Sequence, residues 1–329
     1  MASARDGAAL VAATVVVAVA ALAPAWASPF HLRIGLSIFL SAGMAVGWFV
    51  LGGFARYYSF GHTAFVGVGA FAAGLALVVL PPLGWAAALA LALGVAILSC
   101  VTLAVAIAWP LLRLRGHYFT IAMLAVALVC GEAATAFPVF RGGQGLNFPD
   151  IVPAALRPEV FFYYVALAAL ALSTAAASLI GRSRLGHGLR AIREDEDAAE
   201  MLGVPTTRTK FAAFVASAAI TGAMGAIYGL NVGYITTDSV FRGALSLDMI
   251  VNSLVGGIGS LAGPIVGAVA MTLLTKVLLG GLLEYHLALT GLVVVVVVLR
   301  APDGLIGLAA NLCDRVLRRD AGAAPDPST

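Results

Sequence analysis

Residues 85–108 read WAAALALALGVAILSCVTLAVAIA, twenty-four positions with no charge, no proline and a single glycine. A helix of roughly 20 apolar residues is what it takes to cross the ~30 Å hydrocarbon core of a bilayer. The rest of the 329-residue chain agrees with this stretch: it is 61% hydrophobic and 11% charged, with a mean hydropathy of +1.02. Soluble domains carry about 25% charged residues, so this chain has too little polar surface for a soluble globule and too much apolar surface for disorder. The three cysteines, Cys100, Cys130 and Cys313, form neither a disulfide framework nor a CxxC metal site.

Working outward, apolar runs bounded by charges, proline or glycine clusters predict spans at 8–27, 35–54, 61–80, 117–137, 160–180 and 211–231 beside the one at 85–108. The long stretch from Leu247 to Leu299 is divided into 247–258, 260–283 and 287–299, the last holding the valines Val293 to Val298. The expectation is an all-α polytopic membrane protein of about ten transmembrane helices. Basic residues fix its orientation, because Lys and Arg concentrate in cytoplasmic loops. With both termini cytoplasmic, Arg5, Arg56, Arg113, Arg115, Arg182, Arg184, Arg190, Arg193, Arg208, Lys210, Arg300, Arg315, Arg318 and Arg319 share one side, fourteen of the nineteen. Arg33, Arg141, Arg157 and Arg242 fall on the other, and Lys276 sits in a span near its outer end, within snorkelling reach. Residues 1–28 also read as a cleavable secretory signal, with Arg5 ahead of an apolar run and Ala25-Trp26-Ala27 before Ser28; its removal leaves nine spans with the same topology.

Two loops differ in kind. The outer loop 138–159 is rich in Gly and Pro and is built for turns. The inner loop 181–210 concentrates charge and contains an amphipathic segment, Leu189 to Leu202. At 100° per residue, Ala191, Ile192, Ala198, Ala199 and Leu202 share one face, Arg190, Arg193, Glu194, Asp197 and Glu200 the other, and only Asp195 intrudes on the apolar side. Gly203 and Pro205 stop it. Composition leaves two readings open: a helix fitting a groove on a partner, or one lying on the membrane surface.

Catalytic signatures are missing from the sequence. Both lysines, Lys210 and Lys276, follow Thr, so no P-loop exists, and HExxH and GxSxG are absent. Ionisable residues inside spans are few: Glu132, Asp248 and Lys276, all close to an interface. No midplane carboxylates offer proton or sodium coupling, so the energy for transport is expected from elsewhere. Small residues at four-residue spacing, Gly43/Gly47, Ala218/Gly222/Ala226 and Gly259/Gly263/Gly267, predict close helix packing.

Four segments carry a resemblance. Gly188-Leu189-Arg190-Ala191-Ile192-Arg193-Glu194-Asp195-Glu196-Asp197-Ala198-Ala199-Glu200-Met201-Leu202-Gly203-Val204, followed by Thr207-Arg208-Thr209-Lys210-Phe211, resembles the cytoplasmic coupling loop of branched-chain amino-acid permeases of the ATP-binding-cassette class. Residues 58–70, from Tyr58-Ser59-Phe60-Gly61-His62, look like the family's Leu-Ser-x-Gly-His-x-Ala-Phe stretch, and Leu114-Arg115-Gly116-His117-Tyr118-Phe119 like its Leu-Arg-Gly-x-Tyr-Phe. Val255 to Gly267 resembles its glycine-rich element near the C-terminus. The outer-loop run Arg141-Gly142-Gly143-Gln144-Gly145-Leu146 departs from the family's Thr-Gly-Gly-x-x-Gly-Leu, with Arg for Thr and one residue fewer, which weakens carry-over of substrate roles to that loop.

The resemblance implies a non-enzymatic permease subunit of an ATP-driven importer in a bacterial inner membrane, for branched-chain or related amino acids. It implies as partners a homologous second permease, two cytoplasmic ATPase subunits and a periplasmic substrate-binding protein, with no cofactor, metal or nucleic acid. Importers of urea, short amides or aromatic acids share the scaffold, and a channel or an intramembrane hydrolase are the readings from other classes. The permease domain is expected over 1–310, with the coupling loop at 181–210 and a cytoplasmic tail at 311–329. Candidate ATPase-coupling residues are Leu189, Arg190, Ile192, Arg193, Glu194, Ala198, Ala199, Glu200, Leu202 and Gly203. Candidate pathway residues are Ser59, Gly61, His62, Glu132, Gly256, Gly257, Gly259 and Ser260, the last four because they interrupt an apolar stretch and so expose backbone.

Overall fold

The computed structural model describes residues 20–80, 84–137, 144–153 and 155–278, with 291, 295, 299 and 304–308 near the C-terminus. Most of the spans expected at 8–27 and 287–299, part of the outer loop and the tail at 311–329 lie outside the described residues. Among those described, five helices are long and apolar enough to cross a membrane: α1 (Pro29–Ala55), α3 (Trp85–Leu111), α4 (His117–Ala136), α5 (Pro158–Arg182) and α8 (Thr206–Val232). Between α1 and α3 lies the shorter apolar α2 (Thr63–Val79). Proline opens α1 and α5, where its missing N–H costs nothing. On α3 the exposed rings of Trp85 and Trp109 lie about 36 Å apart at 1.5 Å per residue, which places them near the two interfaces of a bilayer.

Helix α8 is the hub, packed against α1, α2 and α3. The small-residue stripes explain how. On α3 the buried positions Ala88, Ala92, Ala96, Cys100, Ala104 and Ala108 recur every fourth residue, while Leu98, Val105 and Trp109 face outward to lipid. A Cβ on Gly222 would overlap the Cys100 thiol, one on Gly69 the Gly222 carbonyl, and one on Gly225 the Val66 carbonyl. Gly47 presses against Thr221 and Gly43 against Met224 in the same way. Backbones approach closely here because the side chains are absent, and dispersion replaces the hydrophobic drive that lipid cannot supply.

The segment drawn at 247–258 is the short helix α10 (Gly243–Gly256), and the one drawn at 260–283 begins with α11 (Ala262–Leu273), which continues through a π-helical turn at Leu274–Leu278 to the edge of the described residues. At 1.5 Å per residue α10 rises about 21 Å, short of the ~30 Å core. The two pair as a hairpin whose contacts are backbone on backbone: Cβ atoms on Gly256 and Gly263 would overlap the carbonyls of Gly263 and Gly257, and one on Gly267 that of Asn252. A hairpin leaves the chain on the side from which it came, as two full spans would, so the parity of the basic-residue argument is unchanged. A two-residue strand pair is added to the helices. Leu146–Asn147 (β1) pairs antiparallel with Tyr234–Ile235 (β2), and its buried Leu146 and Ile235 close the Val232 end of α8 over Ala70 and Phe71. A short α9 (Thr237–Val240) follows, opened by a capping box between Thr236 and Ser239.

Candidate coupling site and transport pathway

The charged loop holds two helices where the periodicity predicts one, and that expectation is corrected. α6 (Arg184–Glu194) ends at Asp195, which is extended at φ −158° and ψ 119° and caps α7 (Glu196–Met201) by accepting from the Ala198 N–H at 2.9 Å. The residue that intruded on the apolar face is the one that breaks the helix, since Asp competes well as an N-cap. Gly203, at φ +84°, ends α7 with the two bonds of a Schellman motif, Val204 N to Ala199 O at 3.0 Å and Gly203 N to Glu200 O at 2.9 Å.

Burial divides the expected coupling residues. Leu189, Ile192 and Ala199 pack into the protein's own core with Leu51, Ala55, Ala213 and Phe214, so they seat the loop and do not face a partner. Arg193 donates to the Gly53 carbonyl at 3.3 Å. Arg190, Glu194, Glu200 and Gly203 are exposed and Ala198 is half-buried. Leu202 and Met201 are each 84% exposed, a large apolar pair projecting from the most charged part of the chain.

What holds the loop down is a cluster that sequence reasoning did not select. Lys210, 2% exposed on the first turn of α8, donates to Glu196 Oε1 at 2.6 Å, to the Tyr57 hydroxyl at 3.0 Å and to the Leu112 carbonyl at 3.1 Å. The Tyr57 hydroxyl in turn donates to Glu196 Oε2 at 2.5 Å. Burial and the adjacent Glu196 carboxylate push the Tyr57 hydroxyl well above its ordinary pKa. Arg115 closes the exposed side, bonding Asp197 at 2.6 Å and lying 3.8 Å from Glu196 and 3.9 Å from Glu200. Every proton of the ammonium thus has an acceptor, the condition under which a buried ion pair holds a unique arrangement. The cluster joins α7 to the first turn of α8 and to the chain following α1 and α3. One signal in the sequence pointed to it: Lys210 shares its helical face with Ala213, Phe214, Ser217 and Thr221, an apolar stripe on which a lysine needs a partner.

The candidate pathway residues fall on three elements: the start of α2, α4, and the turn between α10 and α11. Ser59, Gly61 and His62 are buried where α2 begins. The Ser217 hydroxyl donates to the Gly47 carbonyl at 2.6 Å, so it accepts from His62 Nε2 at 2.6 Å, which leaves His62 Nδ1 as an unpaired acceptor among the described residues. A Cβ on Gly61 would overlap the Met123 carbonyl. Glu132 is exposed on α4, apart from this group. Gly256 is enclosed by the hairpin backbone and Gly257, at φ +116°, adopts a conformation that favours glycine. Gly259 is exposed with open space around it, and the Ser260 hydroxyl is enclosed without a partner among the described residues. Backbone contact therefore accounts for Gly61 and Gly256, whatever else they do. Among the described residues no three His, Cys, Asp or Glu side chains gather as a metal cluster would require.

Apolar helices around a small-residue hub, a tightly packed helical hairpin and a charge-pinned loop together define a polytopic helical membrane protein. The comparisons narrow this to one family. The chain belongs to the family described as the branched-chain amino acid transport system / permease component, whose model matches residues 30–298. It is 29% identical over 225 residues to the high-affinity branched-chain amino acid transport system permease protein LivM of Salmonella typhimurium, covering 60% of this chain and 52% of that protein. The Escherichia coli LivM is 28% identical over the same length, and the LivH permease of Escherichia coli 28% over 189 residues, 58% of its length. The chain thus spans about half the length of the curated relatives it matches. No solved structure matches it.

Proposed function

We propose that this chain is the permease subunit of an ATP-driven importer of branched-chain amino acids in a bacterial inner membrane. About ten helical segments enter the membrane, the two of the hairpin included, with both termini inside. A second homologous permease completes the path, two ATPase subunits dock on the 181–210 loop, and a periplasmic protein delivers substrate. Residues 1–310 form the permease domain and 311–329 a cytoplasmic tail. The observation that carries the reading is the build of the loop: α6 and α7 are fastened to the bundle by Leu189, Ile192 and the Lys210–Glu196 pair, yet Met201 and Leu202 project without cover. A lever needs both properties. Burying two such side chains on a partner is worth about 1.5–3 kcal/mol each.

The test is reconstitution of the chain with its ATPase and binding-protein partners in proteoliposomes. Leucine uptake that requires ATP is expected, and a Leu202→Asp variant should lose at least tenfold in uptake and in ATPase co-purification while keeping its unfolding temperature. Uptake that persists without ATPase subunits would sink the coupling reading. For orientation, single cysteines at Arg190 and Ala323 should be protected from an impermeant reagent in intact spheroplasts and labelled after lysis.

A further inference from the structure

At the Val232 end of α8 the hairpin and α1 enclose a cavity of about 730 Å³, inside the ~300–1,000 Å³ range of small-molecule sites. Its wall carries both ionisable residues of the hairpin. Asp248 comes from α10 and Lys276 from the π-helical turn that continues α11. π turns interrupt α-helices mostly where a side chain is needed out of register. Lys276 does not snorkel away along the helix axis: its ammonium donates to the Ser37 hydroxyl on α1 at 2.5 Å. One turn further along α1, Ser41 accepts from the Asn252 amide at 2.8 Å. Asp248 has no hydrogen-bond or ion-pair partner among the described residues, and it makes none with Lys276. The remaining wall is mixed: Leu40, Met44, Met249 and Met271 supply apolar surface, and Asn231 and Thr275 add polar groups.

We infer that this cavity is the binding site for the amino-acid zwitterion on its way into the membrane. Lys276, supported by Ser37, receives the carboxylate, Asp248 receives the ammonium, and the methionine and leucine side chains take the aliphatic group. Both residues are exposed at the cavity, so the two charges stand apart and unpaired, open to a ligand that carries both counter-charges. A zwitterion supplies both counter-charges at once and leaves the site neutral. Methionine walls accommodate differently branched aliphatic side chains because the thioether chain adapts its shape. The cavity lies at the end of the bundle that the proposed topology turns to the periplasm, where substrate is delivered. The inference rests on the amino-acid reading of the protein and adds to it the residues that hold the substrate.

The experiment uses the full chain in lipid nanodiscs, with binding of L-leucine, leucine methyl ester and 4-methylpentanoate measured by calorimetry. The ester lacks the carboxylate charge and the acid lacks the ammonium. Wild type should bind leucine at least tenfold more tightly than either analogue. Lys276→Met should abolish the preference for leucine over the ester but keep that over the acid, and Asp248→Asn should do the reverse, with Lys276→Arg close to wild type. Since Asp248 has no partner to lose, its variant folds even where changes at Lys276 disturb the π turn. Unchanged preferences in both variants overturn the site. Absence of leucine binding by a wild-type chain that imports leucine with its partners also overturns the site and leaves the transport reading standing. A wild-type complex that imports urea or an aromatic acid and not leucine overturns both.

Discussion

At the Thr206 end of α8 the Lys210 ammonium is closed in by Glu196, Tyr57 and the Leu112 carbonyl, whereas at the Val232 end Lys276 and Asp248 line a cavity without reaching one another. Both ends place a lysine and a carboxylate in a largely apolar protein. Only the first pairs them. A satisfied buried pair fixes one geometry and has nothing left to offer a ligand, while separated charges keep their binding capacity at the expense of stability. On the reading proposed above, the two ends have opposite tasks: the loop end transmits position, and the hairpin end recognises chemistry.

The sharpest way to break this comparison is Lys210→Met. It leaves Glu196 and the Tyr57 hydroxyl enclosed without their cation, and a loss of about 3–5 kcal/mol is expected in unfolding in detergent, with release of α7 seen as protease sensitivity near Asp195. A loss under 1 kcal/mol would mean that the pair is solvated and the two ends alike.

Next in size is the backbone contact of the hairpin. Gly256→Ala drives a Cβ into the Gly263 carbonyl and should cost about 1–3 kcal/mol and lower the yield of assembled protein, whereas Gly259→Ala, with open space around it, should leave both unchanged. Equal effects would show that the hairpin is looser than its backbone contacts imply.

Tyr57→Phe is milder, about 1 kcal/mol, because Lys210 and Glu196 keep their direct bond. It carries a pH signature. The folded protein holds the Tyr57 proton more tightly than the unfolded chain does, so this contribution is full below about pH 10 and declines as the pH rises above it. The variant should therefore show a flatter loss of stability above pH 10 than wild type.

Smallest of all, Asp248→Asn should change stability by no more than about 0.5 kcal/mol, since its carboxylate has no partner among the described residues. A large destabilisation would reveal a structural partner and remove the contrast between the ends.

Much of the fold was legible along the chain. Four of the expected spans, 61–80, 85–108, 117–137 and 160–180, match helices to within three residues at each end, because apolar length is a local property that the bilayer reads directly; 35–54 is right in its far end but starts six residues after Pro29, and 211–231 is right in its far end and short by a turn at Thr206. That turn is where Lys210 sits, and the boundary drawn at the first charge excluded it. The amphipathic loop was visible, but its face was assigned to a partner when Leu189 and Ile192 are consumed by the protein's own core. The pathway candidates were chosen for glycine, and glycine in this bundle mostly serves contact. Asp248 and Lys276 were each visible as charges in apolar runs; nothing in a linear pattern says that residues 28 apart, with a break between, face one space.

The sequence by itself determined that the chain lives in a membrane, where its helices run and which loop gathers charge, since these follow from transfer energies summed over neighbours in the chain. Its motifs identified the family as well. Only the tertiary structure decided which charges are paired and which are left open, that α10 and α11 fold into a hairpin joined backbone on backbone, and that the loop breaks at Asp195. Pairing, close backbone contact and enclosure depend on distances between residues far apart in sequence, and those distances are set by which small side chains let the helices meet.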